Sequence, residues 1–276
     1  MTKVFQIVSG LIIVNIFVYF FVFYNFTNQS ALYFLDVGQG DAQLAAFGRA
    51  NFLIDTGKDF SVVENLERII PFYKNKIDLV FISHPQVDHM GGIFHLVKKY
   101  DIGVVIFNGQ ENENWDDLKK VLNERGIEYM VFSKGDEVIY GKNKITALWP
   151  EIYDKISKTQ ENDISLVIKI DSGDFTSLFT GDITSKTEKI ISDFSNVDVL
   201  KVPHHGSKYS SSASFLDSVS PLVSIIEVGK NSYGHPTNEV LERLKNVGSQ
   251  IFRTDLDGIV KVFYKNGFIK VSKLST

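Results

Sequence analysis

His84-Pro85-Gln86-Val87-Asp88-His89 is the stretch on which the reading of this chain turns. It follows directly on Ile77 to Ser83, a run apolar but for Asp78 and the closing Ser83, of the kind shown by a strand buried on both faces. It then runs into Gly91-Gly92. A turn placed after a strand can aim side chains spaced two, four and five residues apart at one point, which a regular helix or strand cannot do. His84, Asp88 and His89 thereby supply borderline and hard ligands suited to a divalent ion. Alone, such a segment reads equally well as a surface turn, because short motifs recur by chance.

The rest of the chain tips the balance. Five of the six histidines (His84, His89, His204, His205, His235) stand beside Gly, Pro or Asp at the ends of predicted strands, where loops present them to a cleft. The sixth, His95, reads as a partly exposed residue of an amphipathic helix. Leu178-Phe179-Thr180-Gly181-Asp182 sets a carboxylate after a strand and a Gly, and Lys201-Val202-Pro203-His204-His205-Gly206-Ser207 sets paired imidazoles after another. Tyr233-Gly234-His235-Pro236 adds one more. There is no cysteine, so any metal rests on His, Asp and Glu. Zinc–nitrogen bonds of about 2.0–2.1 Å require tight convergence, and two ions about 3.5–4 Å apart would suit so many ligands. A bound ion lowers the pKa of its water towards about 7. The hydroxide then attacks phosphorus or a carbonyl carbon. Asp88, His204 and His235 are the catalytic candidates, with His204, His205 or His235 as donor to the developing charge. Ser207 and Lys208 are candidate contacts to a phosphate. Lys201 and Lys208, flanking the paired histidines, read ordinarily as a solvated rim.

The order Ile54-Asp55-Thr56-Gly57, HxxxDH, strand-end Asp182 and His204-His205 resembles the metallo-β-lactamase superfamily. Phe34-Leu35-Asp36-Val37-Gly38-Gln39-Gly40-Asp41, Ser83-His84-Pro85, Leu178 to Asp182, Val202 to Ser207 and Gly234-His235-Pro236 look like the hydrolase domain of ComEC-type competence proteins. The likeness covers Ala31 to Thr276. It implies a four-layered αββα sandwich with a metal site at one edge of its two sheets. It also implies nuclease action on DNA, working with a separate competence channel protein. Among the site residues it implies metal ligands His84, Asp88, His89, Asp182 and His204 or His205, with Asp55, Asp41 and Gln86 supporting them. Two departures stand out. The superfamily usually carries His at the position of Gln86, and its separate His before the Gly-Asp strand is replaced by Glu161-Asn162-Asp163-Ile164-Ser165. One firm site at Asp88 and His89 and one weaker site at His84 are therefore expected, filled by Zn or Mn.

The 276 residues suit one large domain or two small ones, and the formal charge of -4 argues against a nucleic-acid binder held by bulk positive charge. Val4 to Phe26 is uncharged and almost wholly apolar. A helix of that length spans roughly 30 Å of hydrocarbon. A cleaved signal peptide has an apolar core of about 7–15 residues ending in small residues, whereas Phe17 to Phe26 is crowded with aromatics. A retained transmembrane anchor over 4–26 is expected, in contact with the lipid bilayer, followed by one hydrolase domain over 31–276. Lys3 before the span places the N-terminus in the cytoplasm and the domain outside. Within the domain, strands are expected at Leu32 to Val37, Gln43 to Phe47, Phe52 to Ile54 and Ile77 to Ser83, and again at Ser165 to Ile170, Ser177 to Phe179, Val197 to Val202 and Leu222 to Val228. Helices are expected at Ser61 to Phe72, Ile93 to Tyr100, Trp115 to Glu124, Ser185 to Phe194 and Asn238 to Val247, with a closing hairpin from Gly258 to Val271.

Three rival readings are weighed. Asp55-Thr56-Gly57 and Asp171-Ser172-Gly173 imitate an aspartic-protease pair, but that leaves five histidines without a task, and no G-x-S-x-G elbow is present. The neutral amide of Gln86 motivates a metal-binding module weakened in catalysis. Within the enzyme class, single-stranded DNA and a cell-surface phosphoester of the phosphocholine type remain alternative substrates.

Overall fold

The computed structural model describes residues 2–27, 30–151, 161–191, 194, 195 and 197–274. The chain begins with helix α1 (Thr2–Thr27). It continues through β1 (Ser30–Phe34), β2 (Gln43–Phe47), β3 (Ala50–Ile54), α2 (Ser61–Ile69), β4 (Lys76–Ile82), the short α3 (Val87–Met90), α4 (Ile93–Lys99), β5 (Asp101–Phe107), α5 (Glu113–Arg125) and β6 (Glu128–Val131). The second half runs β7 (Glu137–Tyr140), β8 (Asn143–Trp149), β9 (Val167–Asp171), β10 (Thr176–Phe179), α6 (Ser185–Glu188), β11 (Val199–Lys201), α7 (Ala213–Val219), β12 (Val223–Ile226), α8 (Asn238–Asn246), β13 (Gln250–Arg253) and α9 (Thr254–Asp257). The hairpin β14 (Ile259–Lys265) and β15 (Phe268–Leu274) closes the chain.

Eight strands form one sheet in the order β15-β14-β1-β2-β3-β4-β5-β6, and seven form the other in the order β13-β12-β11-β10-β9-β8-β7. Three apolar cores make four layers of them. Phe34, Phe52, Phe81, Ile168, Phe179 and Ile225 fill the space between the sheets. Val80, Ile82, Leu66, Leu96 and Trp115 pack α2, α4 and α5 on the first sheet. Leu200, Val202, Phe215 and Leu244 pack α7 and α8 on the second. The apolar run of β4 from Leu79 to Ile82 is thus explained: Phe81 faces the other sheet while Val80 and Ile82 face the helices. This is the αββα sandwich that the sequence predicts.

The strands β3, β4 and β5 are parallel, as are β10, β11, β12 and β13. Loops that leave the carboxyl ends of parallel strands collect at one edge, where open α/β sheets place their ligands. Here Asp55 follows β3, Ser83 to His89 follow β4, Asp182 follows β10, His204 and His205 follow β11, and Glu227 follows β12.

Some elements differ from the sequence expectation. The helix expected over Ser185 to Phe194 ends as α6 at Glu188, with residues 192 and 193 outside the described residues. The strands β7, β8 and β13 and the helix α7 carry no reading from sequence. α7 hides in a serine-rich stretch, where Ser212 caps it by accepting the Phe215 N–H. The apolar segment 4–26 lies within α1. Among the described residues no helix is long and apolar enough to cross a membrane, the side chains of α1 being described for residues 6–19. Residues 28, 29, 275 and 276, at the ends of the expected domain, are outside the described residues.

Candidate metal centre

The centre is assembled by backbone that only its surroundings hold in place. Asp55, His204 and His205 all adopt left-handed φ values of 53, 51 and 51°, a costly conformation for residues with a Cβ and one that gathers at functional sites. Gly40 touches the turn from below: a Cβ there would lie 2.4 Å from the Asp88 carbonyl oxygen. Through the Asp41 N–H, which donates to that same carbonyl at 3.1 Å, the segment Gly38 to Asp41 packs directly on the HxxxDH turn.

Each imidazole has one nitrogen tied and one left over. His89 Nδ1 lies 2.8 Å from Asp55 Oδ2, a carboxylate oxygen that can only accept. His205 Nδ1 donates to the Glu227 carbonyl at 2.8 Å. His84 Nδ1 sits 3.0 Å from Ser83 Oγ and 3.3 Å from Ser165 Oγ. The opposite atoms, Nε2 of His84, His89 and His205, are buried without a hydrogen-bond partner. Unsatisfied buried polar atoms are rare and mark an unfilled role. These three converge with carboxylates: His89 Nε2 is 3.4 Å from Asp182 Oδ2, and His205 Nε2 is 3.6 Å from Asp88 Oδ2 and 3.7 Å from Asp182 Oδ2. The triads His84/His89/Asp182 and Asp88/His89/His205 each hold their ligand atoms within 4.8 Å of one another. Donor chemistry, tautomer and orphaned atoms all fit a divalent ion.

Of the paired histidines, His205 belongs to these groups and His204 to none of them. His204 Nε2 stands 3.7 Å from Asp182 Oδ2, and its ring faces His235 at 5.7 Å between centroids. Both line a groove of about 630 Å³ beside the centre, together with Ser207, Lys208, Tyr209 and Tyr233. Ser207 is itself buried and its Oγ accepts the Tyr209 N–H at 3.4 Å, the role of a turn residue. Gln86 turns towards the segment that replaces the missing histidine, its Nε2 donating to Asn162 Oδ1 at 2.7 Å. His95 lies on α4 against Phe60, away from the centre.

Lys201 corrects the sequence reading. It is 1% exposed rather than part of a solvated rim. Its ammonium pairs with Asp41, lies 3.7 Å from Asp182 Oδ1 and donates to the Gly181 carbonyl at 3.0 Å. Glu227, equally buried, accepts the Ala42 N–H at 3.1 Å and pairs with Gln43. Both have a visible sequence signal that was passed over: a lone charge within an apolar strand run, Val199-Leu200-Lys201-Val202 and Ile225-Ile226-Glu227-Val228. Ser83 and Ser165 show no such signal.

The electrostatics follow from this packing. Burial drives the His84 pKa down to about 3, with His89 adding to the fall, so His84 is neutral and ready to bind. Burial also opposes charge on His89 and His205, yet the nearby carboxylates prevail. Asp182, Asp55 and Asp41 hold His89 well above its ordinary range, and Asp182 and Asp41 raise His205 to about 10. Burial works against ionisation of Asp182, but His89 and His205 outweigh it and hold that carboxyl well below its ordinary range. Burial, followed by the neighbouring Asp41, pushes Glu227 well up.

A pH dependence follows. His89 and His205 have folded pKa values above the unfolded one of about 6.5, so their stabilisation is full below about pH 6.5 and is lost as pH rises towards 10 for His205. In that window His84, His204 and His235, all shifted downward, are neutral both folded and unfolded. Metal-free protein is therefore expected to melt at progressively lower temperature between pH 6.5 and 10. Ion-saturated protein should not, because ligation needs the deprotonated rings. Calorimetry of the two forms across that range checks the sign.

Asp55 fixes His89 and also accepts from Ser83 N–H and Oγ, each at 2.7 Å. Such supporting carboxylates typically contribute 10–100-fold to ion affinity. Asp55→Asn is expected to weaken ion binding by about that factor, read by competition with a chromogenic chelator.

A metallo-β-lactamase superfamily model matches residues 35–229. The chain belongs to that superfamily, and its fold and donor set are those of a metal-dependent hydrolase. Its relatives include ComE operon protein 3 of Bacillus subtilis, 30% identical over 94% of this chain and 36% of that protein. Recombination protein 2 of Haemophilus influenzae is 29% identical over 88% of this chain and 30% of that protein. The chain thus spans about a third of the length of these relatives. Among solved structures, the metallo-β-lactamase fold protein YhfI of Bacillus subtilis superimposes with a TM-score of 0.60 at 15% identity, covering 89% of this chain and 100% of that one.

Proposed function

We propose that this chain is a membrane-anchored phosphodiesterase that cleaves nucleic-acid strands with one firmly held divalent ion. The observation that carries the reading is the convergence of three orphaned Nε2 atoms with Asp88 and Asp182, opening on a groove that holds a lysine and exposed tyrosines. A bound ion would supply an activated water and stabilise negative charge on phosphorus oxygens. The chain's own residues do the rest. Asp88, His89, Asp182 and His205 hold the ion and His84 offers the weaker position, opposite the amide of Gln86. Ser83 and Asp55 keep His84 and His89 oriented. His204 and His235, in the groove wall, stand where a leaving oxygen takes its proton, and Lys208 meets a phosphate. The names of the relatives, competence and recombination proteins, support DNA as the substrate.

The anchor is the second half of the proposal. α1 is 26 residues long, about 39 Å at 1.5 Å per residue, and the sequence has no charge from Val4 to Phe26. With Lys3 retained inside, the sandwich lies outside the membrane.

The deciding experiment loads purified protein with Mn or Zn and compares single-stranded DNA, bis-p-nitrophenyl phosphate and a phosphocholine ester. Cleavage of DNA and of the small diester supports the proposal. Cleavage of the phosphocholine ester alone replaces it with a cell-surface substrate. Tight ion binding with no hydrolysis at all makes the chain a binding module.

A further inference from the structure

The edge of the sandwich opposite the metal centre carries a surface with no part in the chemistry above. Strand directions define it. β1 and β3 run towards the centre and β2 away from it, so Ser30 and the β2–β3 turn at Gly48-Arg49 lie at the far edge, where Ser30 pairs with Phe47. β4 is parallel to β3, which brings Lys76 and the preceding Phe72 and Tyr73 to the same edge. β14 is antiparallel to β1, which brings the hairpin tip from Lys265 to Phe268 there too.

What is exposed along this edge is unusual. Phe72 is 97% exposed, Tyr73 71% and Phe268 66%, and the first two stack edge to face at 5.6 Å. Arg49, Lys76 and Lys265 are exposed among them, and Lys270 holds its ammonium over the Phe268 ring at 5.4 Å. Three large aromatics in water serve no packing role in this chain. Lys76 is offset on this edge by Asp78, its ion-pair partner at 3.1 Å, and by Asp101 in register with it on β5. The net positive charge of the lip therefore comes from Arg49, Lys265 and Lys270. Asp171 and Asp174 lie on the other sheet, where Asp174 pairs with Lys142.

The tether identifies the occupant. Two residues separate Thr27, the end of α1, from Ser30, the start of β1. Three Cα steps extend to at most about 11 Å. With α1 in the bilayer, this edge is held within about that distance of the lipid headgroups. Ser30 is not a loose end, since its Oγ donates to Asn143 Oδ1 at 3.0 Å and ties the tether to the second sheet as well. Exposed aromatics interleaved with Lys and Arg are the chemistry that settles into a headgroup layer carrying anionic lipid.

We infer that this lip of the first sheet, from the β14–β15 tip through Arg49 to Phe72 and Tyr73, is an interfacial contact with an anionic lipid surface. The contact holds the sandwich upright, with the metal centre facing away from the membrane. The inference rests on the anchor proposed above, and the test separates the two.

The chain contains no cysteine, so single cysteines report cleanly. Full-length Val14→Cys, Phe72→Cys, Phe268→Cys and Lys230→Cys proteins are labelled with a small fluorophore. They are reconstituted into phosphatidylcholine vesicles, with and without phosphatidylglycerol, containing lipids brominated both near the headgroup and near the acyl-chain end, so that both the interface and the bilayer centre are reported. The expected result is quenching at positions 14, 72 and 268, none at 230 beside the metal edge, and stronger quenching at 72 and 268 when phosphatidylglycerol is present. Quenching at 14 with none at 72 and 268 overturns the lipid contact and leaves the anchor standing. No quenching at 14 overturns the anchor, and the contact with it.

Discussion

Asp182→Ala is expected to purify with well under one ion per chain and to lose hydrolysis by a factor on the order of 10³. Asp182 stands with His84 and His89 in one triad and with Asp41 and His205 in another, and it faces three imidazoles through one oxygen, at 3.4 Å from His89 and 3.7 Å from His204 and His205. No neighbour can replace it. Asp88 reaches His205 from the other side, and the other described carboxylates nearby are engaged, Asp55 by His89 and Ser83, Asp41 by Lys201 and Glu227 by Ala42 and Gln43. The ion therefore loses the carboxylate that faces His84 and His89 on one side and His205 on the other. The same variant removes the main counter-charge that raises His89 and His205, so both rings should titrate nearer their ordinary range in ion-free protein. Elemental analysis and NMR of the ring protons read these separately. Retention of one ion per chain would place the centre elsewhere in the molecule.

Lys201→Met is expected to cost about 3–5 kcal/mol of stability, the usual consequence of stripping one member from a buried ion pair. For a domain of this size that is roughly 10 °C in melting temperature. The side chain is fully buried, so nothing from solvent can stand in for the ammonium beside Asp41. Burial resists the charge on Lys201, but Asp41 and Asp182 hold its pKa above the ordinary lysine range. The double variant Lys201→Met with Asp41→Asn should recover much of the loss, because the orphaned charge is then gone. Urea denaturation of both singles and the double gives the coupling energy directly. A single variant that loses less than about 1 kcal/mol would show that the pair contributes little.

The fold and the ligand set were legible in the sequence for one reason: both are written in strand ends. An apolar run buried in a four-layer sandwich shows itself as an unbroken stretch such as Val80 to Ile82. A residue that follows it beside Gly or Pro has one direction to point. What escaped reading needed three dimensions. Ser83 and Ser165 act only because β4 and the turn before β9 bring both hydroxyls to His84. The choice between His204 and His205 depends on which ring reaches the Glu227 carbonyl, a contact across 22 residues of chain. Lys201 and Glu227 were within reach, since a lone charge in a buried strand needs a partner. Pairing Lys201 with Asp41, and Glu227 with Ala42 and Gln43, required knowing that β11 and β12 end beside the turn that precedes β2. β8 escaped because its apolar positions are separated by Lys144 and Thr146, although the two-residue turn Gly141-Lys142 joins it to β7.

The candidate ligands come from both sheets, His84, Asp88 and His89 from the first and Asp182 and His205 from the second. An ion held there is a rivet between two separately wound halves of the chain. During synthesis the N-terminal half emerges carrying only a fragment of the coordination sphere and must wait for the 116 residues from His89 to His205 before it can close. Metallation is then the last event of assembly, coupled to the docking of one sheet on the other. A stray cation met earlier finds no complete cage to trap it.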